Sequence, residues 1–463
     1  MVYELVQASG QPKSFPSNFT DILQLNSGFY TGSIADTVKN RPFNLTGMCS
    51  IEIINGWSER KTVRMDYFFQ KRSFIGIRNA YSDPASTDNY ILWQEVTDNG
   101  HYYFREEIAD KALKAKKKMT DKDFCFVNIT DSHYQRVPVN RVNEKLHGNN
   151  HLENVNRITN LVNLDCRIHL GDIVDGTENG TGTLRSLSEA FEVFFASEVP
   201  SLFALGNHDI NGIYANANGL NPNDLLDIEK RYPVFMQPLL KYGIVKPDGK
   251  KDYYFKDFTD KKVRVIMLNN FDNPLVVNNG KASVDISSRS GFGKEQVAFL
   301  IETLKTVPND YYVIIGMHQS LAKTIYPTAA DEQMNGSVVK SILEAFQSSS
   351  SGSATTTYLD NRFPADYYQT TVEYDFKSKP LNRLICVLNG HHHNDRNAKV
   401  NGINYVQTLC SLAESGEPVS DIKPLRTLWS KTEDAFDIVN VNFDTRKVYF
   451  TRFGAGNDRE ISF

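Results

Sequence analysis

Short apolar runs alternate with amphipathic segments in the part of the chain that follows residue 122. The apolar runs that predict strands are FCFVNIT (124–130), DCRIHL (165–170), PSLFAL (200–205), YYVIIG (311–316) and RLICVL (383–388). The segments whose apolar residues repeat at helical spacing are 152–163, 187–196 and 294–305. Strands separated by helices are typical of an α/β domain, which we place at residues 123–463.

The preceding part of the chain has a different pattern. Residues 19–97 contain runs in which aromatic and β-branched residues alternate with polar ones, and they predict a small β-rich domain over residues 1–100. Residues 101–122 are rich in helix-forming residues and end in a lysine cluster. We interpret them as a solvated linker helix whose apolar face is limited to Ile108, Ala109 and Leu113.

Two other segments carry a local signal. The run SSSSGSATTT at 348–357 lacks the apolar residues needed for a core, and it predicts a flexible surface loop. Two alternating runs on either side of DTRK (444–447) predict a hairpin near the C-terminus.

Composition and charge exclude some classes of protein. The 463 residues carry a formal net charge of −4, which argues against nucleic acid or an anionic membrane as a partner. The five cysteines show no C-x-x-C pair or disulfide framework, so we expect reduced thiols. The N-terminus lacks a signal pattern and no apolar run is long enough to span a membrane, so we expect a soluble protein, made in the cytoplasm, without membrane insertion.

Each of the five predicted strands is followed at once by residues that can bind a metal ion. In chain order these are Asp131 and His133; Asp172 and Asp175; Asn207, His208 and Asp209; His318; and His391, His392 and His393. Because the carboxyl ends of such strands meet at one edge of a sheet, we expect the side chains to converge. In extended backbone residues i and i+2 project to one side, so His391 and His393 should face the site while His392 points away.

The donor set predicts the chemistry. It combines carboxylate oxygens, an amide oxygen and four imidazoles, which are too many ligands for one ion. This mixture suits two divalent ions such as Mn, Fe or Zn, of which we favour Mn. Two ions about 4 Å apart can hold both the attacking and the leaving oxygen of a phosphate ester. Two nearby histidines, His147 and His151, are expected to be exposed polar residues.

The order D-x-H, G-D-x-x-D, G-N-H-D, G-x-H and G-H-x-H over residues 123 to about 455 resembles the calcineurin-like metallophosphoesterase superfamily. The resemblance implies an α/β fold in which a sandwich of two β-sheets is flanked by helices, with the site at the strand ends. It also implies a ligand set: Asp131, His133 and His393 for the first metal ion, Asn207, His318 and His391 for the second, and Asp172 as a bridge.

The same resemblance implies roles for the remaining residues. His208 would stabilise or protonate the leaving oxygen, Asp209 would orient the His208 ring, and a water activated by the metal ions would be the nucleophile. Asp175 stands where the purple acid phosphatase branch has an iron-binding tyrosine, so we expect a colourless enzyme. His392 and Asp175 are the candidates for contact with substrate.

The β-rich segment offers a clue to the substrate. An SGFY opening (27–30) and a WQEV close (93–96) resemble the pyocin-knob type domain of phage tail fibres and tail-associated enzymes, over about residues 19–97. Together the two resemblances imply a virion tail protein, partnered by other tail proteins, that cuts a phosphate-containing polymer of the host surface. We expect that polymer to be wall teichoic acid of Gram-positive bacteria, and we leave homo-oligomerisation open.

Three other functions remain open at this stage. A nuclease of the same superfamily would favour a basic channel, which the acidic composition argues against. A small-molecule phosphomonoesterase would not need the β-rich domain. A non-catalytic tail adhesin would keep only the fold, whereas this chain has a residue of the right type at every expected ligand position.

Overall fold

The computed structural model describes residues 11–42, 46–55, 61–68, 72–78, 91–96, 102–136, 143–328, 333–414, 420, 422–428 and 430–463. The chain divides into two compact units, Met1–Arg105 and Glu106–Phe463. Within the described residues, no helix combines the length and the apolar character that crossing a bilayer requires.

The first unit is built on one sheet of six strands in sequence order. The strands are β1 (Lys13–Ser14), β2 (Gly28–Ile34), β3 (Gly47–Asn55), β4 (Lys61–Tyr67), β5 (Arg72–Arg78) and β6 (Ile91–Val96). All neighbours are antiparallel except β1 and β2. Alternate residues of β3 and β4, such as Ile51, Ile53, Val63 and Met65, are buried, as the two-residue period of a half-buried strand requires. The β-rich character predicted for this segment is therefore present.

Helix α1 (Tyr102–Lys116) differs from the solvated helix that we expected. It buries Ile108, Ala112 and Ala115, whereas Ala109 and Leu113 are exposed. The small alanine side chains allow close packing, so a helix with little apolar surface still has a buried face.

The second unit contains two mixed sheets of six strands. One has the order β22-β21-β20-β7-β8-β9, with β7 (Phe124–Ile129), β8 (Cys166–His169), β9 (Ser201–Phe203), β20 (Ala435–Asn442), β21 (Lys447–Gly454) and β22 (Arg459–Ser462). The other has the order β10-β11-β14-β17-β19-β18, with β10 (Tyr254–Phe258), β11 (Val263–Met267), β14 (Tyr312–Gly316), β17 (Leu384–Asn389), β18 (Arg396–Val400) and β19 (Ile403–Gln407). We call them the first and the second sheet of this unit.

Helices and two small hairpins complete the second unit. The helices are α2 (Gly148–Leu161), α3 (Gly180–Phe194), α4 (Gly212–Ala217), α5 (Ile228–Leu239), α6 (Lys294–Lys305), α7 (Gly336–Gln347) and α8 (Ala365–Tyr368). The hairpins pair β12 (Val277–Asn278) with β13 (Lys281–Ala282), and β15 (Ser351–Thr355) with β16 (Thr371–Asp375). Apolar residues of α6 and α7 pack in one buried cluster with β11, β14 and β17.

The two sheets of the second unit pack against each other. The rings of Phe124 on β7 and Phe258 on β10 lie 5.0 Å apart. The hydroxyl of Tyr254 on β10 accepts a hydrogen bond of 2.7 Å from the backbone N–H of Phe203 on β9. The expected α/β sandwich of two sheets flanked by helices is therefore confirmed.

Parallel pairing brings the site-bearing strand ends together. Strands β7, β8 and β9 are parallel neighbours in the first sheet, and β11, β14, β17 and β19 are parallel neighbours in the second. Residues that follow neighbouring parallel strands emerge at the same edge of the sheet.

Two local predictions are wrong and one is confirmed. The segment predicted as a loop at 348–357 contains β15, which pairs with β16 although its side chains are mostly exposed. Backbone hydrogen bonds hold this hairpin, and they leave no apolar pattern in the sequence. His147 and His151 were expected to be exposed, but both are buried against Glu433. His147 Nδ1 lies 2.6 Å and His151 Nε2 lies 3.1 Å from Glu433 Oε1. The C-terminal hairpin is present as β20 and β21.

A buried ion pair network joins the C-terminal strands to the second sheet. Arg452 on β21 is fully buried, and it donates to Asp437 Oδ1 and to Asp395 Oδ1, each at 2.8 Å. Removing one partner of such a network leaves the buried charges of the others without compensation.

We expect Arg452→Met to lower the free energy of unfolding of the second unit by about 3–5 kcal/mol, because Asp437 and Asp395 lose their fully buried partner and keep only Arg459 as a shared cation. Urea unfolding followed by circular dichroism measures this loss. Lys447→Met is the control, since Lys447 forms an exposed pair with Glu460 and its removal should leave the midpoint unchanged. Equal midpoints for the two variants would contradict the prediction.

Candidate metal centre

The predicted metal-binding residues follow five strands of the second unit. Asp131 and His133 follow β7, residues 171–175 follow β8, and residues 206–209 follow β9. His318 follows β14, and residues 391–393 follow β17. The first three strands belong to the first sheet and the last two to the second sheet, so both sheets contribute donors.

The backbone at these positions is left-handed. The φ angle is 52° at Asp131, 46° at His133, 53° at Asp172, 74° at His391 and 53° at His393. The left-handed conformation of a residue other than glycine costs about 1–3 kcal/mol of folding free energy. It occurs chiefly where the surrounding structure enforces it. The extended geometry that we expected for residues i and i+2 is therefore wrong. Asp131 and His133 nevertheless face the site, as do His391 and His393.

The first group of donors, cluster A, consists of Asp131, His133 and His393, whose donor atoms lie within 4.8 Å of one another. His393 Nε2 lies 3.1 Å from His133 Nε2 and 3.4 Å from Asp131 Oδ1. The carboxylate of Asp131 is held in place by a hydrogen bond of 3.0 Å, which the backbone N–H of His391 donates to its Oδ2.

The second group, cluster B, consists of Asp172, His318 and His391, again with donor atoms within 4.8 Å of one another. His318 Nε2 lies 3.0 Å from Asp172 Oδ2 and 3.2 Å from His391 Nδ1. The same Asp172 oxygen is 3.8 Å from His133 Nε2 of cluster A. Asp172 therefore lies between the two clusters.

Charge in cluster B is unevenly distributed between its imidazoles. Burial lowers the pKa of His318, but the charges of Asp172 and Asp131 outweigh it and raise this pKa to about 9. Burial and the neighbouring charge of His318 lower the pKa of His391 to about 3. Without a metal ion, one proton on His318 thus stabilises the buried carboxylates, and His391 stays neutral.

Asn207 supplies an independent sign of a cation. Its Oδ1 is buried and accepts no hydrogen bond from the residues that the structure describes. An orphaned buried acceptor costs about 1–3 kcal/mol, and a metal ion would remove that cost. With Asn207, the donor set holds the amide oxygen, carboxylates and imidazoles that two divalent ions of the first transition row require, so the residues fit such ions.

His208 is held by its backbone and by a carbonyl. Its N–H donates to Asp172 Oδ1 at 2.8 Å, and its ring Nδ1 lies 2.6 Å from the carbonyl oxygen of Asp175. Because a carbonyl only accepts, Nδ1 carries the proton in this contact, and Nε2 is the nitrogen left for a leaving oxygen.

Asp209 does not have the role that we expected. Its buried carboxylate accepts hydrogen bonds from the backbone N–H groups of Asp172, Ile173, Val174 and Gly206, at 2.8–3.2 Å. It therefore holds the turn after β8 against the turn after β9, and the orientation of His208 comes from the Asp175 carbonyl instead.

Asp175 and His392 were the candidates for substrate contact. Asp175 is buried, with Oδ1 3.3 Å from His133 Nδ1 and 2.6 Å from Lys145 Nζ, so it supports a cluster A ligand. Substrate contact by Asp175 stays a prediction. His392 is half-buried with its ring 4.5 Å from that of Tyr326, and it belongs to neither cluster.

Close backbone approach explains two glycines of the motifs. A Cβ on Gly206 would come within 2.1 Å of Asp172 Oδ1, and one on Gly390 within 2.0 Å of Thr130 Oγ1. Any side chain at either position would displace a donor.

Cys410 and Glu414 were not predicted as part of the site. Their donor atoms and those of His393 lie within 4.8 Å of one another, and Glu414 Oε2 lies 3.2 Å from His393 Nδ1. The hydrogen bond from His393 and the nearby Lys423 lower the pKa of Glu414 to about 2. Both residues follow β19, which we did not predict as a strand; its apolar run INYV was the available signal.

The sequence matches no family model and no curated protein. Among solved structures, the chain is similar to a dimetal phosphatase from Danio rerio, at 15% identity over 73% of this chain and 99% of that one, with a TM-score of 0.47. It is also similar to a purple acid phosphatase from yellow lupin seeds, at 14% identity over 95% of this chain and 68% of that one, with a TM-score of 0.41. The donor clusters of this chain therefore carry the chemical interpretation.

We expect the protein to bind two divalent ions per chain and Asp172→Asn to lose more of them than His391→Ala does. Asp172 lies between both clusters, whereas His391 belongs to cluster B alone. Elemental analysis after dialysis against a dilute Mn²⁺ buffer measures the stoichiometry. His392→Ala is the matched control and should keep both ions; its loss of metal would contradict the assignment of clusters.

We expect the affinity for Mn²⁺ to rise with pH up to about 9. Below that pH the metal-free protein carries a proton on His318, which an incoming cation must displace, so affinity falls as pH falls. The pKa of His393 is raised well above its usual value too, so calorimetric titration in buffers of different ionisation enthalpy should show proton release at pH 7 from both His318 and His393, about two protons per chain. Binding that is independent of pH between 6 and 9 would contradict this prediction.

Proposed function

We propose that the second unit is a dinuclear metal-dependent phosphoesterase and that it acts on phosphodiesters. The observation that supports this most directly is the pair of adjoining donor clusters with Asp172 between them and His208 beside it. The favoured ions are Mn²⁺, with Fe or Zn as alternatives, held by cluster A, by cluster B with Asn207, and by Asp172 between them. Such ions polarise a phosphoryl oxygen and lower the pKa of a water molecule when they are bound.

The residues of the chain supply the rest of the reaction. His208 holds one proton on Nδ1 against the Asp175 carbonyl, and with a second proton on Nε2, as an imidazolium, it stabilises or protonates the leaving oxygen. Asp209 keeps the two turns that carry Asp172 and His208 at a fixed separation through its four backbone hydrogen bonds. The ligands therefore require little rearrangement when the substrate binds.

For the biological substrate we propose wall teichoic acid, a polymer of polyol phosphodiesters on Gram-positive bacteria. The protein would act as a component of a phage tail, together with other tail proteins. Support comes from the resemblance of residues 19–97 to pyocin-knob type tail domains and from the β-sheet that these residues form. On this proposal the first unit attaches the enzyme to the particle or to the host surface, and the second unit cuts the polymer.

The test is cleavage of purified Gram-positive wall teichoic acid with Mn²⁺ present, beside His208→Ala. We expect the wild type to release polyol-phosphate fragments and the variant to be slower by about 10²–10⁴-fold, because its proton donor is missing. A bis-aryl phosphodiester provides the parallel assay for chemistry without a polymer.

The two assays separate the levels of the proposal. Turnover of the aryl diester without release from teichoic acid would reject the polymer and direct attention to nucleic acids and small phosphoesters. Wild-type protein that binds metal but cleaves neither substrate, nor an aryl phosphomonoester, would reject the phosphoesterase and favour a non-catalytic adhesin.

A further inference from the structure

The imidazole of His393 makes contacts through both of its ring nitrogens. Nε2 faces cluster A, 3.4 Å from Asp131 Oδ1. Nδ1 lies on the other side of the ring, 3.2 Å from Glu414 Oε2, in hydrogen-bonding geometry. An imidazole that binds a metal ion through one nitrogen has an N–H on the other, and the partner of that N–H fixes the tautomer and the plane of the ring.

Glu414 is tied to the site by its backbone and by a lysine. Lys423 Nζ lies 3.0 Å from Glu414 Oε2. The N–H of Glu414 donates to the carbonyl oxygen of Leu412 at 2.8 Å, and the N–H of Leu412 donates to the carbonyl oxygen of Asp131 at 3.0 Å. The carboxylate that supports one ligand of cluster A is therefore held in register with another ligand of the same cluster.

The two clusters differ in the groups that contact the Nδ1 atoms of their imidazoles. In cluster A, His393 Nδ1 is hydrogen-bonded to Glu414 at 3.2 Å, and His133 Nδ1 lies 3.3 Å from Asp175 Oδ1 outside hydrogen-bonding geometry; each carboxylate is paired with a lysine. In cluster B, the Nδ1 of His318 lies 2.7 Å from the neutral carbonyl oxygen of Leu170. A carboxylate partner makes an imidazole a stronger donor than a carbonyl partner does, because its charge stabilises the N–H dipole.

We propose that Glu414 is a positioning residue for His393 and that, with its support, cluster A binds its metal ion more tightly than cluster B does. The proposal rests on the dinuclear site proposed above. Glu414 acts through the ring of His393 and not on the substrate. Its loss should therefore change the affinity for the metal ion directly and turnover only as a consequence.

The experiment is titration of the metal-free full-length chain with Mn²⁺, with free Mn²⁺ measured by electron paramagnetic resonance. Wild-type protein should show a tight and a weak class of site. Glu414→Gln keeps the size of the side chain but removes the charge, and we expect it to weaken the tight class by about 10–100-fold and leave the weak class unchanged. Glu460→Gln is the matched control, because it removes the carboxylate of another lysine pair, Lys447–Glu460, whose side chains are exposed.

Lys423→Gln gives a second measurement that leaves the Glu414 carboxylate in place. It should weaken the same class by a smaller factor, and it keeps the proposal testable if Glu414→Gln does not fold. Wild-type affinities in both variants, or equal weakening of both classes, would overturn the role of Glu414 while leaving the dinuclear site intact. A wild-type chain that binds no Mn²⁺ would overturn both proposals.

Discussion

The close approach of two buried carboxylates to four imidazoles is the constraint on which the second unit depends. Asp131 and Asp172 are at most 1% exposed, and the donor atoms of their clusters lie within 4.8 Å of one another. Lone pairs that converge in a site of low polarity repel one another unless a proton or a cation lies between them. The surrounding structure therefore has to hold the donors in place, and the left-handed backbone at five of the ligand positions is the cost of doing so.

In the second unit, the packing of the two sheets against each other also determines the geometry of the site. Cluster A joins Asp131, from the first sheet, to His393, from the second, and cluster B joins Asp172 to His318 in the same way. A shift of one sheet over the other would open both clusters. Metal ions that bind across the two sheets consequently stabilise the sandwich, since they bind the folded unit and not the unfolded chain. The structural interactions behind the ligands, such as the four backbone hydrogen bonds to Asp209, serve stability and metal binding together.

The five strands that precede the donors and the clustering of the donors could be predicted because they depend on local pattern: an apolar run followed by polar residues with metal-binding groups. The local backbone geometry of the donors could not be predicted. Extended and left-handed backbone are both compatible with the same spacing of these residues in the sequence. Asp209 was misinterpreted because a carboxylate beside a histidine in sequence need not contact its ring. The hairpin of β15 and the support of His393 by Glu414 depend on pairing with distant segments, Thr371–Asp375 and the end of β19, which no local pattern encodes.

On the proposed function, catalysis and targeting would be separate properties of this chain. Among the described residues, every donor of both clusters lies in Glu106–Phe463, and Met1–Arg105 contributes none. The proposed reaction would therefore depend on the sandwich, whereas the proposed choice of a polymer would depend on a surface that has no part in the chemistry. The first unit exposes the apolar side chains of Phe29, Ile54 and Phe68. If the proposed function holds, a chain that combines a buried, charged centre with a separate sheet of this kind could change its target without altering the geometry of the donors.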